Sequence, residues 1–339
     1  MHNILLKKAL QGAALFFGIT LISFGVIHLA PGSPSSGTEM NPAVSQEARE
    51  KLTRLYGLDR PLEAQYFEWL ARMVRFDFGE SLVDGEKVRS KILHAAPVTL
   101  GTNGVALILA FLIGIPAGVW MAWKTGSKAE KLLETVFLGL YSMPGFWIAL
   151  LFMSYFAVRV HLVPLSGLHS LFYEEMPFWR QWIDAAAHLV LPILVLTLSG
   201  SAVISRYVKS SMKDILGQGF IRASRARGLS ERRVLLNHGL RNALLPVITL
   251  VGLSVPALLG GSVVLESIFA LPGMGRLFFN AVFQRDYPVI MGILTLGAAM
   301  TLVGNALADL AYAYADPRIR REGEHTRRKP RAYGLSYGR

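Results

Sequence analysis

The stretch AAPVTLGTNGVALILAFLIGIPAGVWMAW, residues 95–123, runs for 29 residues without a charged side chain. At about 1.5 Å per residue, a helix of about 20 residues crosses the roughly 30 Å hydrocarbon core of a bilayer. A soluble protein would instead distribute its apolar residues at a period of about 2 or 3.6. The stretch therefore predicts a transmembrane helix.

Five further uncharged windows of similar length occur along the chain of 339 residues, of which 52% are hydrophobic and 17% charged. Together with the first they predict an all-α integral membrane protein with six transmembrane helices. Pro and Gly inside several windows are expected where neighbouring helices or water satisfy the backbone. The five windows are residues 9–30, 135–158, 185–205, 242–265 and 287–308.

The first window could also be a secretory signal, because Lys7 and Lys8 precede it. However, its apolar run exceeds the usual length of about 7–15 residues, and HLAPGS, residues 28–33, lacks an A-x-A cleavage site. An uncleaved first span is the favoured interpretation.

The distribution of basic residues predicts the orientation. Residues 1–8, 124–134, 206–241 and 309–339 carry 22 of the 35 Lys and Arg. Basic residues favour the cytoplasmic side of a membrane, so both termini are predicted to be cytoplasmic. The net charge of +12 is then explained mainly by the basic residues that orient the chain in the membrane. It does not indicate nucleic-acid binding, so we expect no nucleic-acid partner.

Outside the spans, residues 31–94 form one extracytoplasmic segment in which Leu62, Tyr66, Trp69 and Met73 recur at helical spacing. This pattern predicts a short amphipathic helix, either a structural cap or a contact for substrate. Residues 1–30 comprise the N-terminal end and the first span, and residues 95–316 form a core of five spans. The basic tail, residues 317–339, is predicted to be disordered and held near membrane lipid.

The sequence offers no recognisable active site. It has no cysteine, no G-x-S-x-G, no H-x-x-x-H pair and no phosphate-binding loop, so we predict no catalytic, cofactor-binding or metal-ligating residue. Asp309, just past the sixth window, either pairs with a basic residue at headgroup level or belongs to a proton or ion relay. A pump would show several such acids.

The long basic loop, residues 206–241, contains RASRARGLSERR, residues 222–233. Residues 214–246, here called the elbow, predict a helix, a turn at Gly228 and a second helix capped by Ser230. Small side chains at its crest, Ala223, Ser224 and Ala226, would let a partner approach closely. A compact elbow of this kind is unlike a purely lipid-anchoring arm, which needs no glycine turn.

At this point the sequence resembles the permease subunits of ABC importers, specifically their dipeptide/oligopeptide/nickel branch. In the E-A-A-x-x-x-G motif of that family, Arg222 takes the Glu position, Ala223 and Gly228 match, and Ser224 replaces the second Ala. Further strings of the branch follow in order, covering nearly the whole chain to about residue 321. They are GITLISFGVIHLAPG, YGLDRPLEAQY, FDFGESL, YSMPGFW, ESIFALPGMGRLFFNAVFQRDYPV and DPRIR.

The resemblance implies a type I ABC importer permease fold, similar to that of the methionine importer's permease. It implies a prokaryotic inner-membrane location and four kinds of partner: a second homologous permease, two cytoplasmic ATPases, an extracytoplasmic solute-binding protein and lipid. ATP and Mg²⁺ would be bound by the ATPases, so this chain would be a translocation subunit and not an enzyme. One departure is Ser33, where the family often has Asp.

By the same resemblance, the elbow contains the loop that docks on an ATPase, and residues 266–275 form an external gate or a dock for the binding protein. The docking loop comprises Phe220, Ile221, Arg222, Ala223, Ser224, Arg225, Ala226, Arg227, Gly228 and Leu229, with Leu245 and Pro246 at the start of the next helix. The external segment comprises Glu266, Phe269, Pro272, Gly273 and Gly275. It could instead be a structural turn in which Gly273 and Gly275 supply a positive φ.

The implied cargo is di- or oligopeptides, moved by alternating access. Nickel or another small solute is the alternative within this class. A self-sufficient secondary transporter is the alternative from another class, and it would be expected to show internal repeats or coordinating acids within the spans.

Overall fold

The computed structural model describes residues 2–29 and 60–315, and every regular element in those ranges is helical. Ser33 and the tail 317–339 lie outside the described residues. The helices are α1 (His2–Leu29), α2 (Leu62–Val74), α3 (Val88–Trp123), α4 (Lys128–Ser142), α5 (Gly145–Phe152), α6 (Phe178–Leu216), α7 (Gly219–Ala226), α8 (Glu231–Arg233), α9 (Leu245–Gly260), α10 (Val263–Ile268), α11 (Met274–Gln284) and α12 (Tyr287–Ala315).

Four stretches of the described chain are long and apolar enough to cross a bilayer. They are Val88–Trp123, Phe178–Leu216, Leu250–Ile268 and Tyr287–Ala308. The apolar part of α1, Leu10–Gly25, is shorter. Many large apolar side chains on these helices are exposed, Ile108 and Leu112 of α3 by more than 60%. Exposure on this scale suits lipid or a partner rather than water.

The window 135–158 is not one straight helix. Helix α4 ends at Ser142, and α5 starts after Pro144 at an angle of 101° to it, continuing as a π-helical stretch, Met153–Arg159. Pro144 explains the break, because it has no N–H for the carbonyl of Leu140 and pushes Met143 into the extended conformation observed, with ψ of 133°. The Pro-Gly pair at 144–145 is therefore a bend within this apolar window.

Helices α3 and α6 pack with their backbones very close together. A Cβ atom added to Gly118 would lie 2.6 Å from the carbonyl oxygen of Ser205 and 2.7 Å from Cβ of Val208. One added to Gly114 would lie 2.8 Å from Cβ of Ile204. Small residues allow such an approach between membrane helices, where packing rather than the hydrophobic effect holds helices together. The two helices therefore form one rigid pair.

Helices α9 and α12 form a second close pair, in which a Cβ on Gly252 would lie 2.2 Å from Cβ of Ala308. Helix α1 packs on α12 and is tied to α2, since Thr20 Oγ1 and the Tyr66 hydroxyl lie 3.0 Å apart. The predicted amphipathic helix is thus present as α2. Its Tyr66 and Met73 are buried, whereas Leu62, at its first position, is 50% exposed.

Candidate functional site

The elbow has the predicted order of helix, glycine turn and helix. Helix α7 ends at Ala226, and Gly228 follows with φ of +76°, a conformation that residues with a Cβ rarely adopt. Ser230 occupies the N-cap position of α8, but its side chain makes no capping bond. From α8 the chain continues as a π-helical stretch, Val234–Leu240, and a three-residue helix, Arg241–Ala243, before α9 starts at Leu245. Residues 206–216, counted above as loop, belong to α6.

Apolar side chains anchor the elbow to the ends of α3 and α6. Ile221 of α7 and Val234 are fully buried. Leu235 joins a core cluster with Met212 of α6 and Ala122 of α3. Burial of this kind fixes the position of the elbow relative to the rigid α3–α6 pair, so a displacement of one is transmitted to the other.

The exposed face of the elbow is basic, as predicted. The predicted position of Ser224, however, is wrong. Ser224 is not on the crest: it is buried, and its hydroxyl donates to the carbonyl of Phe220 at 2.8 Å. It faces inward because it lies three residues after Ile221, on the same side of the helix. Arg225 spans the turn, since its Nε donates to Glu231 Oε1 at 2.8 Å. The exposed residues of the predicted docking loop are Phe220, Arg222, Ala223, Arg225, Ala226, Arg227 and Gly228.

A buried ion-pair cluster lies one helical turn or more before the elbow, at the same end of α6. Lys209 is 7% exposed, and its ammonium nitrogen lies 2.6 Å from Glu134 Oε1 and in direct contact with Glu130 of α4. Glu130 also accepts from the backbone N–H of Gly126 at 3.2 Å. This cluster was missed from the sequence, which indicated only loop charges. It joins α4 to the pair that carries the elbow.

The predicted external segment is built around one buried acid. Glu266 is 6% exposed, and its carboxylate accepts hydrogen bonds from the Thr99 hydroxyl at 2.8 Å and from the Arg276 N–H at 2.9 Å. Phe269 is also buried, and its carbonyl accepts from the N–H of Gly167 at 2.8 Å, whereas Pro272 is exposed. The segment is therefore fixed to α3 and to the loop before α6.

The alternative role suggested for Gly273 and Gly275 is wrong, because neither has a positive φ. Glycine is needed there for close approach. A Cβ on Gly273 would lie 2.4 Å from Cδ of Glu266, and one on Gly275 would lie 2.7 Å from the backbone nitrogen of Val263. The positive φ values in this region belong to Gly261 and Ala270.

A cleft opens beside the bend between α4 and α5. Its volume is ≈ 480 Å³, and its lining is mainly apolar, with three residues that carry a hydroxyl, Tyr141, Ser199 and Ser262. Within residues 2–29 and 60–315, no group of three His, Asp or Glu side chains could hold a metal ion. The cleft is lined by Leu140, Tyr141, Met143, Gly145, Phe146, Val195, Leu196, Ser199, Val203, Ser262, Val264 and Leu265.

Apolar spans, a bent span and a basic elbow rigidly joined to them define a helical membrane protein of the transport class. Residues 114–321 match the family described as "Binding-protein-dependent transport system inner membrane component". The chain belongs to this family, and it is a multi-pass protein of the inner membrane.

Three curated relatives cover most of the chain. The oligopeptide transport system permease protein AppB of Bacillus subtilis is 43% identical over 94% of this chain and 99% of its own. The di/tripeptide transport system permease protein DppB of Pseudomonas aeruginosa is 37% identical over 91% and 95%. The dipeptide transport system permease protein DppB of Escherichia coli K12 is 37% identical over 90% and 95%.

The fold is similar to that of a chain in the methionine ABC transporter MetNI, solved in inward-facing conformations. The TM-score is 0.53 at 19% identity, covering 66% of this chain and 96% of the other. At that identity the likeness establishes the fold, which is the one expected from the sequence.

Proposed function

We propose that this chain is the permease subunit of an ATP-driven ABC importer and forms half of a pathway for di- or oligopeptides, working by alternating access. The elbow carries the proposal, because it combines a basic exposed face with buried anchors on the α3–α6 pair. The partners are a second homologous permease, two ATPases that bind ATP and Mg²⁺, and an extracytoplasmic binding protein. This chain binds no cofactor of its own.

The elbow docks on an ATPase through its exposed arginines and the small residues between them. Guanidinium groups pair well with carboxylates of a partner, and Ala223 and Ala226 leave room for a partner's surface. The helix of the fully buried Ile221 contacts the stretch Val234–Leu240, which itself contacts α6, so a movement of the ATPase would reach α6 by this route. In this proposal, residues 220–229 receive the movement of the ATPase, and Leu245 and Pro246 at the start of α9 transmit it to that helix.

In the membrane, the chain has six spans and both termini in the cytoplasm. The four long stretches are supplemented by α1 and by the bent pair formed by α4 and α5 with its π-helical continuation. The elbow and the basic ends then share the cytoplasmic side, as the distribution of Lys and Arg favours. The domain boundaries given above follow from this arrangement.

Peptide is the favoured cargo because the relatives with 37–43% identity are named as oligopeptide, di/tripeptide and dipeptide permeases. The chain's own cleft adds an apolar wall with few hydroxyls, which suits solutes of varied side chain. Residues 266–275 serve as the external gate or as the dock for the binding protein.

The decisive experiment is reconstitution in vesicles. The chain assembled with its second permease and two ATPases should accumulate a labelled tripeptide only when ATP and the binding protein are supplied. Accumulation by the chain alone, driven by a proton or sodium gradient, would overturn the proposal. In cells, growth of a deletion strain on di- and tripeptides as the sole source of a required amino acid would exclude peptide as the main cargo, and nickel uptake would then be measured.

A further inference from the structure

The carboxyl group of Glu266 lies at the N-terminus of helix α11. This helix begins at Met274 after Gly273, a residue without a side chain that could cap it. The N–H of Arg276 donates directly to Glu266, and the N–H of Gly275 also faces this carboxyl group. The first N–H groups of a helix lack partners within it. Glu266, eight residues before the start of the helix, supplies an acceptor for them.

Thr99 completes the arrangement from helix α3. Its hydroxyl oxygen accepts from the N–H of Met274 at 2.8 Å, which leaves the hydroxyl proton to be donated to Glu266. One side chain therefore connects α3 to the first turn of α11 and to the acid of α10. Thr99 is 1% exposed, so water does not compete for these bonds.

The surrounding backbone packs closely around the carboxyl group. A Cβ on Gly261 would lie 2.5 Å from Glu266 Oε1, and one on Gly273 would lie 2.5 Å from Oε2. In the described ranges, none of the ion pairs involves Glu266. The group is therefore held by hydrogen bonds from the Thr99 hydroxyl and the first turn of α11. A buried polar group is stable only where such partners are in place.

We infer that Glu266 and Thr99 are positioning residues that hold residues 261–276 as one rigid unit on α3, so that this segment moves with the α3–α6 pair and not as an independent flap. The inference rests on the proposed function. It implies that the external gate opens and closes by a movement of the whole α3–α6 pair. The movement of the elbow would then reach the outer face through α3, which is one continuous helix from Val88 to Trp123 even with Pro97 and Pro116 inside it.

The test uses the complete transporter in lipid nanodiscs and proteoliposomes. Thr99→Val keeps the shape of the side chain but removes both hydrogen bonds, whereas Thr99→Ser keeps the hydroxyl and should rescue them. Hydrogen exchange of the Met274 amide should be about tenfold faster in T99V than in wild type, because its N–H loses the Thr99 hydroxyl as acceptor, and unchanged in T99S. Exchange in T99V equal to wild type would overturn the inference.

The second readout is solute moved per ATP hydrolysed. T99V and Glu266→Gln should assemble and hydrolyse ATP but lose uptake, because the outer segment no longer follows α3. The control Glu174→Gln makes the same substitution at an exposed site and should keep wild-type coupling. A merely structural role would lower assembly, hydrolysis and uptake in parallel, which would also count against the inference.

Two outcomes separate the inference from the function on which it rests. If wild type itself shows no ATP-driven uptake, the proposed function fails. If wild type transports and both T99V and E266Q couple as it does, only the inference fails. Should T99V not assemble, the comparison of E266Q with E174Q decides the question by itself.

Discussion

Lys209 of α6 lies 2.6 Å from Glu134 of α4 and in contact with Glu130, although 79 residues separate Lys209 from Glu130 along the chain. Lys209 and Glu130 are both buried. A buried charge that loses its partner is strongly destabilising, even where the intact pair adds little. The pair therefore restricts which side chains can occupy positions 130 and 209, whereas the Glu134 side chain is 50% exposed and is less constrained.

Replacing Lys209 by Met should lower the unfolding temperature of the purified protein and weaken the attachment of α4 to α6, whereas Lys209→Arg should retain most of the stability. Arg60→Met, which breaks the exposed pair of Arg60 with Glu68, is the control and should leave the unfolding temperature unchanged. Differential scanning fluorimetry in detergent measures all three. Equal effects of K209M and R60M would contradict this account.

Gly118→Ala should destabilise the protein by about 1–3 kcal/mol, because the new methyl group would press on the backbone of Ser205 and force α3 away from α6. The matched control is Gly101→Ala on the same helix, where an added Cβ meets nothing within 4 Å. That substitution should be neutral or stabilise by about 0.5–1 kcal/mol. Chemical denaturation of the two variants gives the comparison, and a neutral G118A would show that the pair tolerates separation.

Gly228→Val should abolish uptake and coupled ATP hydrolysis while leaving the chain in the membrane. A Cβ added to Gly228 meets no atom within 4 Å, so steric contact does not destabilise the turn. The loss of folding free energy arises instead from the backbone angle φ of +76°, which costs an L-residue about 1–2 kcal/mol. Gly228→Asn should retain more activity, since Asn tolerates this conformation better. Gly219→Ala, at an unstrained glycine of the same elbow, is the control for side-chain size. Normal uptake in G228V would refute the role of the turn.

Two neighbouring substitutions should distinguish the residues that anchor the elbow from those that contact the ATPase. Ile221→Ala should lower the free energy of unfolding by about 2–5 kcal/mol, because this side chain of α7 is fully buried. Arg222→Ala, one residue along on the exposed face, should leave stability unchanged but reduce the amount of ATPase that co-purifies with the chain. If R222A binds the ATPases normally, the exposed arginines are not the docking contacts.

The sequence alone was sufficient to predict those features whose signal lies in a short stretch of the chain. Apolar windows report burial in lipid residue by residue, and Gly228 between two helical patterns indicates a turn whatever surrounds it. The bend in the window 135–158 had its signal in Pro144 and Gly145, but the angle of 101° depends on how α5 packs against α6 and α10.

The partners of Glu130 and Glu266 could not be predicted from the sequence, because they are distant along the chain. Thr99 and Glu266 are 167 residues apart, and no periodicity connects them. Glu266 was predicted as part of the external segment, but its burial was not, although the small residues around it, from Gly260 to Gly275, were a signal of tight packing. Lys209 was counted with the loop charges because α6 continues as a helix beyond the uncharged window.

The bend after α4 separates the shape of the adjacent cleft from its chemistry. Pro144 has no N–H to donate to the Leu140 carbonyl, and Leu140 itself lines the cleft. The bend is therefore a property of the main chain, whereas the apolar character of the cleft belongs to its side chains. Substitution of those side chains over evolution can change the polarity of the cleft without straightening the helices beside it.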